Sequence, residues 1–562
     1  MRALASAVSL SAQRQQSTPS ASDVIRPEKE SKTLRSSFIA LTAGAAAMAC
    51  LLSLLPATGH DQMWCLYVAQ RILAGVRLYG PHLLESNPPL IMGMLLLPAE
   101  AARILHLPVT LLFKLCVLAT EALVALASLR LLRKLRAPVT PARLWAYAFA
   151  FVCVFAVLPA RDFGQRDQLL AVLLLPYVIA AALAAESAHG RVPLSRWARV
   201  AIGFAAGIGV SLKPHHLLIP AAIEAFLLFG LMRTKREPIK LFPSAVRIEA
   251  VVILLTCAAY LAAIRLFTPE YLTQILPILR DTYWAIGPLT LPQLVAQAIE
   301  LHILAAVALL LYFLSGRRKA SPLTTLLLVV GAAGTVAYYL QGTGWYYQQI
   351  PALSFFSLAL FLELLDLASR QPVRLPAWIP AAAAALAVIA VGLTAYFSGY
   401  TLAHPLEFPS GLSDVPDPSF FAGLAPGTPI AILTTEVDDS VPPFFTRHLL
   451  WAQRENNLWT LPAILRNESP TAPTDPRRRI PPPRLAELDR MQHAWMVQDL
   501  AYWHPALILV NRCQDPAVRC QILEDRHDNL LAWFERDPAF QQEFARYHFL
   551  RSSGPFDAYV PD

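Results

Sequence analysis

Apolar runs of about 20 residues, separated by short polar segments, recur from Ser37 to Tyr400 and then stop. A helix needs roughly 20 apolar residues to cross a hydrocarbon core of about 30 Å, and there it satisfies its own backbone polar groups. The pattern predicts a polytopic α-helical membrane protein with about 11 transmembrane helices. They are expected at 37–56, 108–129, 142–160, 168–186, 198–212, 217–232, 248–267, 291–314, 322–340, 349–368 and 376–398. The stretch 89–107 is also apolar, but threading it through the bilayer would put Arg130, Arg133, Lys134 and Arg136 on the wrong side. It is expected to be an interfacial or re-entrant helix.

Beyond Tyr400 the pattern changes to polar and Pro-rich sequence with short apolar runs. Pro429–Leu433 and Ala506–Val510 read as buried strands, Arg484–Trp503 and Asn529–Phe544 as amphipathic helices. This predicts a small C-terminal α/β domain over 401–562, with a flexible loop at Pro470–Pro483 in which Arg477, Arg478 and Arg479 are solvated.

Composition agrees with a bilayer as solvent: of 562 residues, 56% are hydrophobic and 15% charged, with a mean hydropathy of +0.45. The net charge of +8 changes the picture only through its placement. Lys and Arg cluster between apolar segments, which is a topology signal and excludes a nucleic-acid face. The positive-inside rule puts the tail 1–36 in the cytoplasm, and with it the clusters at Arg130–Arg136, Arg191–Arg199, Arg233–Lys240, Arg317–Lys319 and Arg370–Arg374. The membrane domain then spans 37–400, the C-terminal domain is extracytoplasmic, and a bacterial inner membrane with a periplasmic domain is expected. No small-residue cleavage site follows the first apolar segment, so that helix is expected to stay as an anchor. Five cysteines lie in or beside apolar segments; Cys513 and Cys520 lie in the polar region expected outside the cytosol, where a disulfide can persist, and whether the two are bonded stays open.

Ionisable groups near membrane depth are costly, and here several gather on one predicted side. The first outer loop carries Asp61, followed by an aromatic-containing helix, a Gly-Tyr turn and Asn87-Pro88-Pro89. Asp61 reads either as a helix N-cap or as a functional acid. The loop from Arg161 to Gln168 adds Arg161, Asp162, Arg166 and Asp167, either as site residues or as an interfacial ion-pair network. Lys213 precedes Pro214-His215-His216 and either binds an anion or snorkels to headgroups. Gln341, Trp345 and Tyr346 belong to a loop that suits a sugar or a prenyl-phosphate headgroup, or else an aromatic belt. Tyr283 and Trp284 offer the same choice. No internal repeat, Walker A motif, Rossmann fingerprint or HExxH is present.

The loop that carries Asp61-Gln62 and Asn87-Pro88-Pro89 resembles the GT-C superfamily of glycosyltransferases, in the branch of protein O-mannosyltransferases and aminoarabinose transferases that modify lipid A. The resemblance covers most of the membrane region and is strongest over Ser37–Pro220. It implies that Asp61 is the catalytic acid, standing alone because Gln62 replaces the second acid of the family pair. It also implies that Lys213 contacts the donor phosphate. A polyprenyl-phosphate sugar donor and an extracytoplasmic acceptor (glycan, lipid or protein) follow from the resemblance. The chemistry suits the residue types: a carboxylate takes the acceptor proton, and Arg161, Arg166 and Lys213 bind the phosphate. Asn87, Asp162, Asp167, His216, Gln341, Trp345 and Tyr346 are further site candidates. A divalent metal remains open, as does the alternative of a transporter or flippase for a lipid-linked substrate.

Overall fold

The computed structural model describes residues 32–54, 58–135, 139–187, 194–234, 247–286, 289–314, 321–369, 416–469, 473–512 and 529–562. Among the described residues, seven helices are long and apolar enough to span a membrane: Arg35–Leu54, Val109–Leu132, Arg166–Glu186, Pro214–Met232, Ile248–Phe267, Pro322–Gln341 and Tyr346–Leu367. The span expected at 291–314 is instead two helices, Leu291–Gln297 and Ile299–Leu314, bent by 72°, so the count is seven, or eight if the pair is one span. The break falls at Ala298, whose backbone leaves helical geometry. The segment expected at 142–160 is the shorter helix Pro141–Val157, with a π-helical last turn from Val152. That expected at 198–212 is the 17-residue helix Arg196–Leu212. The last expected span, 376–398, lies outside the described residues, as do Cys513 and Cys520. The chain is an integral membrane protein.

Helix Leu90–Leu105 has 16 residues, about 24 Å of rise, which is short of a full crossing. It packs against helix His60–Leu73, and both lie outside the set of spans.

The burial pattern is that of a protein solvated by lipid. Helix Arg166–Glu186 is at the centre, with 89% of its apolar window buried. Helix Ile248–Phe267 is at the periphery, where Leu254, Leu255, Leu261 and Phe267 are exposed. Small residues bring helices together: a Cβ at Gly207 of helix Arg196–Leu212 would lie 2.7 Å from Thr256 Cβ of span Ile248–Phe267, so only glycine permits this helix crossing.

The C-terminal sheet has strands β1 (Pro429–Leu433), β2 (Leu450–Trp451), β3 (Leu507–Asn511), β4 (Tyr547–Ser553) and β5 (Phe556–Pro561) in the order β2-β1-β3-β5-β4. The first three are parallel and the β4–β5 hairpin is antiparallel. Alternation along β1 and β3 divides the core. Ala431, Leu433, Ile508 and Val510 face helices Leu461–Glu468, Pro482–Trp503 and Leu530–Phe534. Ile430, Ile432, Leu507 and Leu509 share a core with Trp64, Tyr67 and Phe163 of the membrane region, through Phe444 of helix Val437–Thr446. The helix expected over Asn529–Phe544 is two, Leu530–Phe534 and Pro538–Phe544. Asp537 caps the second and Pro538 starts it, which a continuous helix would forbid. Arg477, Arg478 and Arg479 are exposed.

Candidate functional site

The helix that carries Asp61 starts after Gly59, whose extended backbone serves as the N-cap without a side-chain bond. Asp61 therefore sits in the first turn rather than at the cap, and its carboxylate is turned to tertiary partners. Gln165 Nε2 donates to Asp61 Oδ2 at 2.9 Å. His60 Nε2 lies 3.4 Å from Asp61 Oδ1, while His60 Nδ1 lies 2.5 Å from Asp438 Oδ1 on the C-terminal domain. A chain of Asp438, His60 and Asp61 thus joins the two parts of the molecule, and each side chain keeps a quarter to a third of its surface in solvent.

The loop before span Arg166–Glu186 delivers Gln165 and Arg166. It makes a 3-10 turn at Ala160–Asp162 and then passes through Gly164 at φ +85°. A Cβ there would lie 2.3 Å from the Phe113 ring. The Gly164 N–H is bonded to Gln168 Oε1 at 2.5 Å, which fixes the loop end on its own helix.

Arg166 donates to Asn87 Oδ1. Asn87 is held in turn by Glu85, whose Oε1 accepts from the Asn87 backbone at 2.8 Å and from Nδ2 at 2.7 Å. Trp64 Nε1 donates to the other oxygen of Glu85. Lys213 caps helix Arg196–Leu212 in extended geometry. Its Nζ lies 2.7 Å from Asp167 Oδ2 and 3.0 Å from Gln341 Oε1, with the Tyr347 ring centroid at 4.7 Å. His216 is buried with Nε2 3.4 Å from Asp167 Oδ1.

These groups share one electrostatic environment. Burial pushes the Asp61 carboxyl up, but His60 and then Arg166 outweigh it, with Gln165 and Lys213 adding to them, and hold its pKa below the usual carboxylate range. Burial opposes charge on His60, yet Asp61 and Asp438 raise its pKa to about 9. Glu85 goes the other way: burial raises its pKa despite the bonds from Asn87. Burial lowers the Lys213 pKa, against the pull of Asp167. The arrangement sets an ionised carboxylate near two cations at one end of the spans, as acid–base and anion-stabilising chemistry requires.

The structure brings together Asp61, Asn87, Arg166, Asp167, Lys213, His216 and Gln341. Asp162 is half-buried and acts electrostatically on His60. The Arg161 side chain lies outside the described residues. Tyr346 instead bonds Leu158 O at 2.8 Å, and Trp345 packs against Tyr347 with the rings tilted and their centroids 5.6 Å apart. Sequence reasoning missed the roles of Glu85, Gln165, Tyr347 and Asp438. The first three stand beside residues it had selected; Asp438 carries no local signal. Among the described residues, no three His, Cys, Asp or Glu side chains converge as a metal site would need.

No sequence-family profile matches the chain, and no curated protein matches it by sequence. Solved structures do. The crystal structure of ArnT from Cupriavidus metallidurans bound to undecaprenyl phosphate aligns at a TM-score of 0.51 and 15% identity, over 93% of this chain and 98% of that one. The archaeal oligosaccharyltransferase AglB from Archaeoglobus fulgidus, in complex with an inhibitory peptide and a dolichol-phosphate, aligns at 0.47 and 13% identity, over 95% and 75%. The ArnT alignment spans nearly the whole of both chains and shows that this chain shares the ArnT fold, in line with the resemblance read from the first outer loop.

Proposed function

We propose that this chain, which has the GT-C fold, is a membrane glycosyltransferase. It moves a sugar from a polyprenyl-phosphate carrier to an extracytoplasmic acceptor, with inversion at the anomeric carbon. The observation that carries the reading is the ionised Asp61 carboxylate, held by Gln165 and His60, with Arg166 and Lys213 acting on it from two other segments. The ArnT structure, bound to undecaprenyl phosphate, supports the donor class. The catalytic membrane domain is assigned to 37–400 and a periplasmic domain to 401–562, with the tail 1–36 cytoplasmic and the chain in a bacterial inner membrane.

In this mechanism the acceptor hydroxyl or amine loses its proton to Asp61 as its oxygen or nitrogen bonds the anomeric carbon. The bond from that carbon to the carrier phosphate breaks on the opposite face, and the electron pair leaves with the phosphate. Arg166 and Lys213 stabilise the departing anion. Asn87 fixes the Arg166 guanidinium, and Glu85 fixes Asn87. Asp167 holds Lys213 in place, and His216 lies against the other oxygen of Asp167.

The test is lipid and glycan profiling of a deletion strain, which identifies the missing sugar and its acceptor, followed by complementation. Wild type restores the product; Asp61→Asn, at equal abundance in the membrane, loses at least about a hundredfold in transfer, the ordinary worth of a positioned base. Full restoration by Asp61→Asn removes the reading.

A further inference from the structure

A cavity of about 580 Å³ lies between the membrane helices and the C-terminal domain, away from Asp61. It is of the size that small-molecule sites have. Helix His60–Leu73 lines it with Met63, Tyr67, Gln70 and Arg71, which repeat at helical spacing along one face. Asp61, two residues before Met63, falls on a different face. The rest of the wall comes from Leu54 at the end of the first span, from the first turns of the span that starts at Val109, and from the segment ending at Leu450. The cavity is thus at the level where spans end, on the side of the sheet.

Its chemistry is divided. Lys114 and Arg71 are its basic residues, with Lys114 Nζ 3.5 Å from Leu54 O and the Arg71 guanidinium 5.7 Å from the Trp503 ring centroid; His448 also lines it, and no carboxylate is among its described lining residues. Lys114 is 6% exposed. The opposing wall is apolar, formed by Leu54, Val109 and Phe445. A cationic corner beside an apolar wall, at the boundary of the hydrocarbon region, matches an amphiphile with an anionic head.

We infer that this cavity binds the phosphate headgroup of a lipid drawn from the leaflet on the side of the sheet domain, with Lys114 and Arg71 on the phosphate and the acyl stems along Leu54 and Val109. A free phosphate would leave the apolar wall uncovered, and a neutral diacyl lipid would bring no anion to Lys114 and Arg71. The site is distinct from the carboxylate centre at Asp61 and stands whether or not the transferase reading holds.

The test uses the purified full chain in a neutral detergent and titration calorimetry with three probes: dioctanoyl phosphatidic acid, dioctanoylglycerol and inorganic phosphate. Saturable binding of the phosphatidic acid at one site is expected, with the other two at least about tenfold weaker, dioctanoylglycerol because it loses the hydrogen bonds to charged groups and inorganic phosphate because it loses the apolar burial. Lys114→Gln weakens the phosphatidic acid by about tenfold or more on the same grounds. Thr110→Phe, which fills the cavity and keeps every charge, also weakens it and guards against misfolding of the first variant. Equal affinity for dioctanoylglycerol, equal affinity for inorganic phosphate, or unchanged affinity in both variants overturns the inference.

Discussion

Three side chains, Asp438, His60 and Asp61, set the charge state of the proposed centre. His60 has its pKa raised to about 9 in the fold, above its ordinary value of about 6.5. Its ion pairs therefore contribute fully below pH ~6.5 and are lost as pH rises through about 9. Asp61 is displaced downwards, so its contribution is present above the ordinary carboxylate pKa and is lost only in acid, as pH falls through the lowered value. Thermal melting across this range is expected to fall on the alkaline side, and Asp438→Asn to move that fall to lower pH. A melting profile unmoved by Asp438→Asn would contradict the pairing. Arg166→Lys keeps the charge but loses the planar fork that reaches Asn87. Donor half-saturation is expected to rise by about tenfold, the cost of one charged hydrogen bond. An unchanged value would separate Arg166 from the donor phosphate. Asp61, Arg166 and Lys213 were legible in the sequence because ionisable groups beside apolar runs are costly and few. Asp438 was not, because an acid in a polar, soluble segment is ordinary until folding sets it against His60.

At the level of elements, the loop that ends at Gln165 decides how the central helix presents its first residues. Gly164 permits both its left-handed backbone and the approach of Phe113. Gly164→Ala is expected to cost about 1–3 kcal/mol through backbone strain and overpacking. Because Gln165 and Arg166 follow directly, transfer is expected to fall with stability. Phe113→Leu in the same chain should recover part of the stability, and no recovery would place the strain elsewhere. The helix periods themselves were readable from apolar spacing. The bend at Ala298 was not, since no Gly or Pro marks it and the apolar residues on both sides, interrupted by Gln297 and Glu300, fit a continuous helix equally well.

The whole molecule is tied together by a core that belongs to neither part alone. Trp64 and Tyr67 of the membrane region pack with Phe444 and Trp451 of the sheet domain, ring centroids 4.9 Å apart for Tyr67 and Phe444. The Trp451 N–H reaches Tyr67 Oη at 3.2 Å, and the Leu84 N–H reaches Arg454 O at 2.6 Å. Arg484 bonds Asp281 at 2.8 Å. Deleting 416–562 is expected to expose that core and leave an aggregating membrane part, read by size-exclusion chromatography in detergent; a monodisperse product would show that the two parts fold independently. For the proposed orientation, single cysteines at Lys235 and Arg280 should react with an impermeant label from opposite sides of the membrane. Reaction of both from one side would contradict that topology.

Hydrophobic spacing and charge placement, which act locally along the chain, were enough to determine that this is a membrane protein, where most of its helices run, and the two central strands of its C-terminal sheet, while Leu450–Trp451 and the hairpin 547–561 were not foreseen. They also marked the polar loops from which the site is built. Tertiary structure decided what each polar group meets: that Asp61 is no cap, that Tyr346 bonds Leu158, that His216 is buried against Asp167, and that one face of the sheet closes over the membrane helices. A residue's need for a partner can be read from its type and surroundings in sequence. The identity of that partner depends on segments far apart in the chain, and only folding brings them within hydrogen-bond distance.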